Sequence, residues 1–120
     1  MKNHIDSASF GTITINGNKY VHDILISLDG NISKRKKKLS KRVFGTSHVI
    51  SLDEAEYIYE NQAEKILIGA GHNGMVILSV EANDFFKQKN CPVALMPTPE
   101  AVDSYNNANG NLIALFHITC

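Results

Sequence analysis

The sequence predicts an α/β domain with a mixed, mostly parallel central sheet that an N-terminal β-hairpin extends or flanks. Two observations support this prediction. Short apolar runs alternate with helical segments from residue 65 onward, and two β-branched runs meet at Asn16-Gly17 near the start of the chain. Strand, helix and strand at such spacings favour right-handed crossovers between parallel neighbours.

The first elements are a hairpin and a capped helix. The runs "FGTITI" (10–15) and "YVHDILIS" (20–27) are rich in β-branched residues, and the Asn-Gly turn between them is a strong hairpin signal. Ser51 is followed three residues later by Glu54, which is the spacing of a capping box, so a helix is predicted to begin there. Residues 1–9 are expected to be flexible.

The second half of the chain alternates between strands and helices. The apolar runs "KILIG" (65–69), "PVALM" (92–96) and "NLIALFHI" (111–118) are typical of buried strands. The segments 80–89 and 98–110 between them have the composition and punctuation of helices. The predicted boundary residues are the N-caps Ser79 and Thr98, Pro99 at the first helical position, and Gly110 after the helix.

Size and composition indicate one ordinary domain over residues 1–120. A chain of this length with 43% hydrophobic residues can bury a core without disulfides or metals. It contains no stretch of about 20 apolar residues and no apolar core of a secretory signal near its start. Cys91 and Cys120 form neither a disulfide framework nor a C-x-x-C pair. We therefore expect a cytoplasmic protein without a membrane partner.

The segment "GAGHNG" (69–74) has the spacing G-x-G-x-x-G of a dinucleotide-binding loop. That spacing has meaning only when a helix follows the last glycine. Here "MVILS" (75–79) follows, which is too β-rich to begin a helix, and no acidic residue ends the next strand to bind a ribose. We therefore predict no cofactor and interpret the glycines as sites of positive φ and close backbone approach.

A milder interpretation places a ligand where the parallel strands end. Loops at the carboxyl ends of neighbouring strands share one edge of a sheet, so "GAGHNG" and "MPTPE" (96–100) are expected to face each other. The backbone amides at the start of the helix predicted at 98–110 would favour binding of an anion. The competing interpretation is simple helix capping. We call the candidate ligand residues the glycine rim: Gly69, Gly71, His72, Asn73, Gly74, Thr98 and Glu100.

The charges balance overall but are unevenly distributed. The chain has 12 basic and 12 acidic residues, and seven of the basic ones lie in "KRKKKLSKR" (34–42). A solvated loop or an aggregation-resistant edge strand is the plainest interpretation, followed by docking to an acidic protein. Nucleic acid is not expected, because no aromatic residues are interleaved for stacking. The candidate partner surface comprises Lys34, Arg35, Lys36, Lys37, Lys38, Lys41 and Arg42.

The segment "HITC" (117–120) brings a histidine and a cysteine close together in sequence. Side chains three residues apart on a strand diverge unless the chain bends, and zinc requires four ligands. The sequence contains no second cluster of ligands. We predict no metal site and no catalytic residues, although a catalytic pair of Cys120 with a histidine stays open.

Four motifs in a fixed order resemble a known family. "GTSHVIS" (45–51), "ILIGAGHNGM" (66–75), "MPTPEAV" (96–102) and "LFHITC" (115–120) resemble the Mth-domain family. Its animal members include an adipogenesis-associated protein and a mitochondrial assembly factor for respiratory complex I. The resemblance extends over residues 10–120 and implies a single three-layer α/β domain with a mixed central sheet.

For function, the resemblance implies a non-enzymatic binding, assembly or regulatory module with a protein partner, because the family has no agreed catalytic activity. A homo-oligomer stays open, and the alternative is a small-molecule or anion-binding protein, or an enzyme, with its site at the glycine rim. The chain differs from many relatives at "NANGNL" (107–112) and at its basic run. The start of the chain has Asp6 and no arginine, unlike a mitochondrial transit peptide. The family's characteristic positions are Gly69, Gly71, Gly74, Pro97, Thr98, Glu100, Ala101, His117 and Cys120.

Neither NAD nor FAD is expected to bind, because no helix follows Gly74 to hold a pyrophosphate at its N-terminus. Isothermal titration calorimetry with each cofactor should give only heats of dilution. Binding of either cofactor with micromolar affinity would contradict this prediction.

Overall fold

The computed structural model describes residues 2–120 as four helices and ten strands. The longest helix has ten residues, and no helix within residues 2–120 is long and apolar enough to cross a membrane. The strands are β1 (Ile5–Ser9), β2 (Thr12–Ile15), β3 (Asn18–Tyr20), β4 (Ile24–Ile26), β5 (Ile32–Lys34), β6 (Val49–Ile50), β7 (Lys65–Ala70), β8 (Ile77–Leu78), β9 (Val93–Met96) and β10 (Leu112–His117). The helices are α1 (Lys38–Phe44), α2 (Leu52–Ile58), α3 (Val80–Gln88) and α4 (Thr98–Asn107).

The central sheet has five strands in the order β5-β4-β10-β7-β9. β7 lies between β10 and β9 and is parallel to both, whereas β4 is antiparallel to β10 and to β5. Four of the five strands therefore point the same way. The predicted alternation of strands and helices in the second half is confirmed, and so is the mixed sheet.

Two apolar cores on opposite faces of this sheet make the fold three-layered. Successive residues of β7 alternate between them, since Ile66 and Ile68 face the core under α2 and α3. Leu67 faces the opposite core, together with residues of α4 and of the small N-terminal sheet. Both faces are covered, which explains why β7 and β10 are almost continuously apolar.

The N-terminal hairpin is confirmed at Asn16-Gly17, where both residues have positive φ angles and join β2 to β3. Two expectations near it are wrong. Residues 5–9, expected to be flexible, form β1 on β2, because Ile5 is buried in the second core. The run 20–27 is not one strand. β3 and β4 belong to different sheets, and the extended structure is interrupted between them, where Asp23 is buried.

The basic run was expected to be a solvated loop or an edge strand, but part of it is helical. Its first residue ends β5, and α1 begins four residues later. The signal for the end of α1 is Gly45, which has φ 71° and donates its N–H to the carbonyl of Lys41. The run therefore follows a fixed path over the structure.

Two of the three predicted N-caps are confirmed. Ser51 accepts a hydrogen bond from the amide of Glu54, and Ser79 accepts one from the amide of Ala82. Thr98 was predicted to cap α4, which is wrong, because Pro97 occupies the cap and Thr98 is the first helical residue. Its hydroxyl bonds to other segments instead. No helix follows Gly74, and the two-residue strand β8 comes next.

Gly71→Ala should destabilise the protein by more than the roughly 1 kcal/mol expected for a glycine with positive φ alone. Gly71 has φ +93°, and an added Cβ would lie 2.1 Å from the backbone carbonyl carbon of Cys120. Gly17→Ala is the matched control, because Gly17 has φ +80° with no atom within 4 Å of such a Cβ. Urea unfolding measures both costs, and equal values would contradict the prediction.

Candidate functional site

Two carboxylates and one guanidinium are buried together beneath the basic run. Asp23, Arg35 and Glu54 are 1%, 3% and 0% exposed. Arg35 makes a bidentate contact with Glu54, at 2.7 Å from Nε to Oε2 and 3.0 Å from Nη2 to Oε1. Its Nη1 donates to Asp23 Oδ2 at 3.1 Å, and its Nη2 also donates to the carbonyl of Ser47 at 2.8 Å. The pairing compensates for the loss of water around all three charges.

Asp23 is the most highly connected of these groups. Its Oδ2 also accepts from His117 Nδ1 at 2.7 Å and lies 3.6 Å from Lys37 Nζ, while its Oδ1 accepts the amide of Ile118 at 3.0 Å. Burial by itself would raise the pKa of Asp23, but these hydrogen bonds and positive charges hold that pKa at about 2. The carboxylate is therefore ionised at neutral pH. We call Asp23, Arg35, Glu54 and His117 the buried charge cluster.

Glu54 connects the cluster to α1. Ser40 Oγ donates to Glu54 Oε1 at 2.5 Å and accepts the amide of Ser51 at 3.0 Å. The Ser51 hydroxyl in turn donates to the carbonyl of Leu39. Only half of the predicted capping box therefore forms, because the carboxylate turns away from the Ser51 amide toward Arg35 and Ser40. Burial would lower the pKa of Arg35, but Glu54 and Asp23 together raise it.

His117 links the cluster to the end of the chain. Its Nε2 lies 3.1 Å from Thr119 Oγ1, so a carboxylate, an imidazole and a hydroxyl follow one another as in a hydrolase triad. The imidazole, however, is 2% exposed, with its Cδ2 packed against Gly71 and its ring 5.3 Å from that of His48. Its carboxylate partner is also shared with Arg35. This geometry fastens β10 to β4 and presents no open imidazole face to a substrate.

The two loops of the glycine rim face each other as expected. The amide of Thr98 donates to the carbonyl of Gly71 at 3.0 Å, and the amide of Gly71 donates to Thr98 Oγ1 at 2.9 Å. The Thr98 hydroxyl donates to the carbonyl of His117. Gly69 is needed for close packing, because an added Cβ would lie 2.9 Å from the ring of Phe116.

The backbone carbonyls of residues 119 and 120 accept hydrogen bonds from amides of the glycine rim. The amide of His72 donates to the carbonyl of Thr119 at 2.8 Å, and the amide of Asn73 donates to that of Cys120 at 3.0 Å. The anion was expected at the amides that open α4, and the amide of Thr98 at that position likewise donates to a protein carbonyl, that of Gly71. Glu100 is exposed on α4, and its side chain makes no hydrogen bond or ion pair within residues 2–120.

Six of the seven residues of the candidate partner surface lie at least partly at the surface. The prediction that Arg35 belongs to this surface is wrong, because its side chain points inward to the buried carboxylates. Residues 34–38 line a groove of 480 Å³, which we call the lysine groove, whereas Lys41 and Arg42 are not among its lining residues. Lys37 is 36% exposed and reaches Asp23, while Lys36 Nζ lies 4.8 Å from the centre of the Tyr57 ring. The groove is strongly basic and lies directly above the buried charge cluster.

The histidines and cysteines do not assemble into a ligand set in the part of the chain that the structure describes. Residues 2–120 contain no group of three or more His, Cys, Asp or Glu placed to hold a metal ion. Cys91 and Cys120 are both free, and burial raises the pKa of the Cys91 thiol. A buried thiol with a raised pKa is a poor nucleophile at neutral pH.

Asp23 and Glu54 were not predicted to be partners of the basic run. A signal for Asp23 was present, because it is a charged residue directly before the apolar strand β4. Glu54 gave no such signal, since an acidic residue in the first turn of a helix is ordinary. Their pairing with Arg35 spans 12 and 19 residues of sequence, which no local pattern shows.

The comparisons with known proteins identify relatives but no activity. A family model described as "Protein of unknown function (DUF498/DUF598)" matches residues 5–116. No curated protein gives a match to the chain.

Several solved structures share the whole fold. A conserved hypothetical protein from Pyrococcus horikoshii OT3 is 32% identical, covers 100% of both chains and has a TM-score of 0.88. A structure named MT938 is also 32% identical, over 99% of this chain and 100% of that one, with a TM-score of 0.82. A Mth938-like domain from Bordetella pertussis is 16% identical over 97% of this chain and 85% of that one, with a TM-score of 0.65. That last similarity shows the fold alone.

The depressed pKa of Asp23 should make stability depend on acid pH. Its pKa falls from 3.8 to about 2 on folding, so the carboxylate stabilises the fold by about 2 kcal/mol above about pH 4. This contribution should disappear as the pH falls toward 2. The free energy of unfolding, measured with urea, should therefore fall less steeply with decreasing pH between about pH 5 and pH 2 for Asp23→Asn than for the wild type. The exposed-site control Asp84→Asn should retain the wild-type slope, and equal slopes for wild type and Asp23→Asn would contradict the prediction.

Proposed function

The chain belongs to the DUF498/DUF598 family of proteins of unknown function, and we propose that it is a non-enzymatic binding module that docks an acidic protein segment in the lysine groove. The observation that carries this proposal is the inward turn of Arg35. One arginine of the basic run is fixed inside the protein, and it holds the lysines on either side at a defined surface.

The anchoring gives the groove a preorganised backbone. Arg35 is fixed by two carboxylates and a carbonyl, and its amide donates to the carbonyl of Asp23. Three residues later α1 begins, and Ser40 fastens that helix to Glu54. A binding segment that is already ordered loses less entropy on association than a mobile one. This distinguishes residues 34–38 from a solvated basic tail.

The charge arrangement favours an acidic protein over a nucleic acid. Outside residues 34–42 the chain has five basic and twelve acidic residues, so a long polyanion would meet repulsion beyond the groove. No aromatic residue lines the groove itself, and the neighbouring Tyr57 ring is already in contact with Lys36 Nζ on one face, so the groove offers no row of rings for bases to stack on. A short acidic segment needs only the groove itself.

The cytoplasm is the setting that this proposal assumes. Both cysteines are free thiols, which suits a reducing compartment. The alternative, a small anion held at the glycine rim, has less support because the amides of His72 and Asn73 already donate to backbone carbonyls. The triad-like order around His117 lacks an accessible imidazole face.

Neutralising the groove should slow association without unfolding the protein. We expect a labelled twelve-residue Asp/Glu peptide to bind with a salt-sensitive association rate, because opposed charges mainly steer encounter. The variant Lys34→Gln/Lys36→Gln/Lys38→Gln, which keeps the contact of Lys37 with Asp23, should lose this binding in stopped-flow fluorescence. Its free energy of unfolding should change by only about 0 to 1 kcal/mol per exposed pair.

Two controls make the result specific. Lys19→Gln/Lys87→Gln/Lys89→Gln removes the same charge at exposed positions outside the groove and should bind the peptide like the wild type. A twelve-base-pair DNA duplex should not be retained at about 0.15 M salt, where non-specific contacts are weak. Retention of DNA that disappears in the groove variant would overturn the proposal, and so would equal peptide binding by both triple variants.

A further inference from the structure

The lysine groove begins on an unpaired edge of the central sheet. β5 is the outermost strand of that sheet, and within residues 2–120 it pairs only with β4. Its last residue, Lys34, is exposed and also lines the groove. A chain that binds along this edge can therefore contact the protein through its backbone as well as through its side chains.

The register of β5 on β4 determines which backbone groups of the edge are free. Antiparallel strands alternate between residues that exchange hydrogen bonds with the neighbouring strand and residues whose amide and carbonyl groups point away from it. The amide of Arg35 donates to the carbonyl of Asp23, so the residues that alternate with Arg35 point away from β4. These residues are Ile32 and Lys34. Within residues 2–120 their amides and carbonyls make no hydrogen bond to any other segment.

The charges at this edge select the kind of strand that can pair with it. Lysine on an edge strand disfavours pairing with a second copy of the same edge, because like charges would lie opposite each other. Lys36 and Lys38, which line the groove beyond Lys34, are exposed and make no ion pair within residues 2–120. An acidic strand converts the same repulsion into attraction. β9, at the opposite edge of the sheet, has no charged residue and provides no such selection.

We propose that the acidic segment binds as an extended strand added to the free edge of β5. Its alternate amide and carbonyl groups pair with those of Ile32 and Lys34, and its carboxylates face Lys34, Lys36 and Lys38. A helical segment leaves the edge unpaired, because the backbone groups of a helix are bonded within the helix. This inference rests on the function proposed above and specifies the conformation of its partner.

Backbone methylation of the partner tests strand addition. Only every second residue of an added strand donates to β5, so a twelve-residue Asp/Glu peptide that is N-methylated at every second residue keeps one edge free. The same number of N-methyl groups on the second and third residue of every four interrupts both edges and leaves the charge unchanged. In fluorescence anisotropy we expect the first peptide to bind like the unmethylated one and the second to bind at least about tenfold more weakly.

The outcomes separate this inference from the proposed function. If the unmethylated peptide binds and the two methylated peptides have equal affinity, whether retained or lost, strand addition is overturned and docking of an acidic segment stands. If the unmethylated peptide does not bind the wild-type protein, both are overturned.

Lys34→Pro gives the reciprocal test on the protein, with Lys34→Gln as the matched control. Both variants remove the lysine charge, but only proline removes the amide N–H that points away from β4. Proline is tolerated on an edge strand at a position of this kind, and circular dichroism checks that the variant is folded. We expect the proline variant to bind the unmethylated peptide at least about fivefold more weakly than the glutamine variant. Equal affinity of the two folded variants would overturn strand addition.

Discussion

The guanidinium of Arg35 joins three segments of the chain through buried hydrogen bonds. It binds Asp23 ahead of β4, Glu54 on α2 and the carbonyl of Ser47 ahead of β6. Removing one member of a buried pair leaves an uncompensated charge and typically costs about 3–5 kcal/mol. The three groups therefore depend on one another. This contact holds the basic run against α2, and the hydrogen bonds of Ser40 and Ser51 join α1 to the same group.

The buried charge cluster also connects the two regions that the sequence marked as functional. Lys37 of the lysine groove reaches Asp23, Asp23 holds His117, and the carbonyl of His117 accepts the Thr98 hydroxyl at the glycine rim. Residues 119 and 120 then occupy the amides of the glycine loop. The glycines thus serve close packing of the chain against itself. The exposed chemistry lies at the opposite end of this chain of contacts, in the lysine groove.

Helix α1 carries two surfaces of different chemistry. Residues 34–38, the last of which is its first residue, form the lysine groove, and its last two residues, Val43 and Phe44, line a smaller groove together with Leu52. Ser40, in the middle of the helix, is buried and bonded to Glu54. A short helix of seven residues has little stability of its own, so this polar anchor replaces the apolar stripe that a longer helix would bury. Both surfaces are consequently held in a fixed relation to the sheet.

The sequence by itself determined the features that depend on neighbouring residues. Asn16-Gly17 formed the predicted hairpin turn because both residues tolerate positive φ, and Ser51 and Ser79 capped their helices because cap and amide lie three residues apart. The apolar runs from residue 65 onward formed the predicted strands, of which β7 and β10 are buried, whereas β9, also predicted to be buried, lies at the edge of the sheet and is only partly so. The missing helix after Gly74 was also readable from the residues that follow it.

Only the tertiary structure decided which polar groups turn inward. Seven basic residues look alike in the sequence, and nothing local distinguishes Arg35, because its partners Asp23 and Glu54 come from other elements. Thr98 has the residue type of an N-cap, yet its hydroxyl donates to the carbonyl of His117 and accepts the amide of Gly71. A buried polar group must find a partner wherever the fold supplies one, and those partners become neighbours only after the chain has folded.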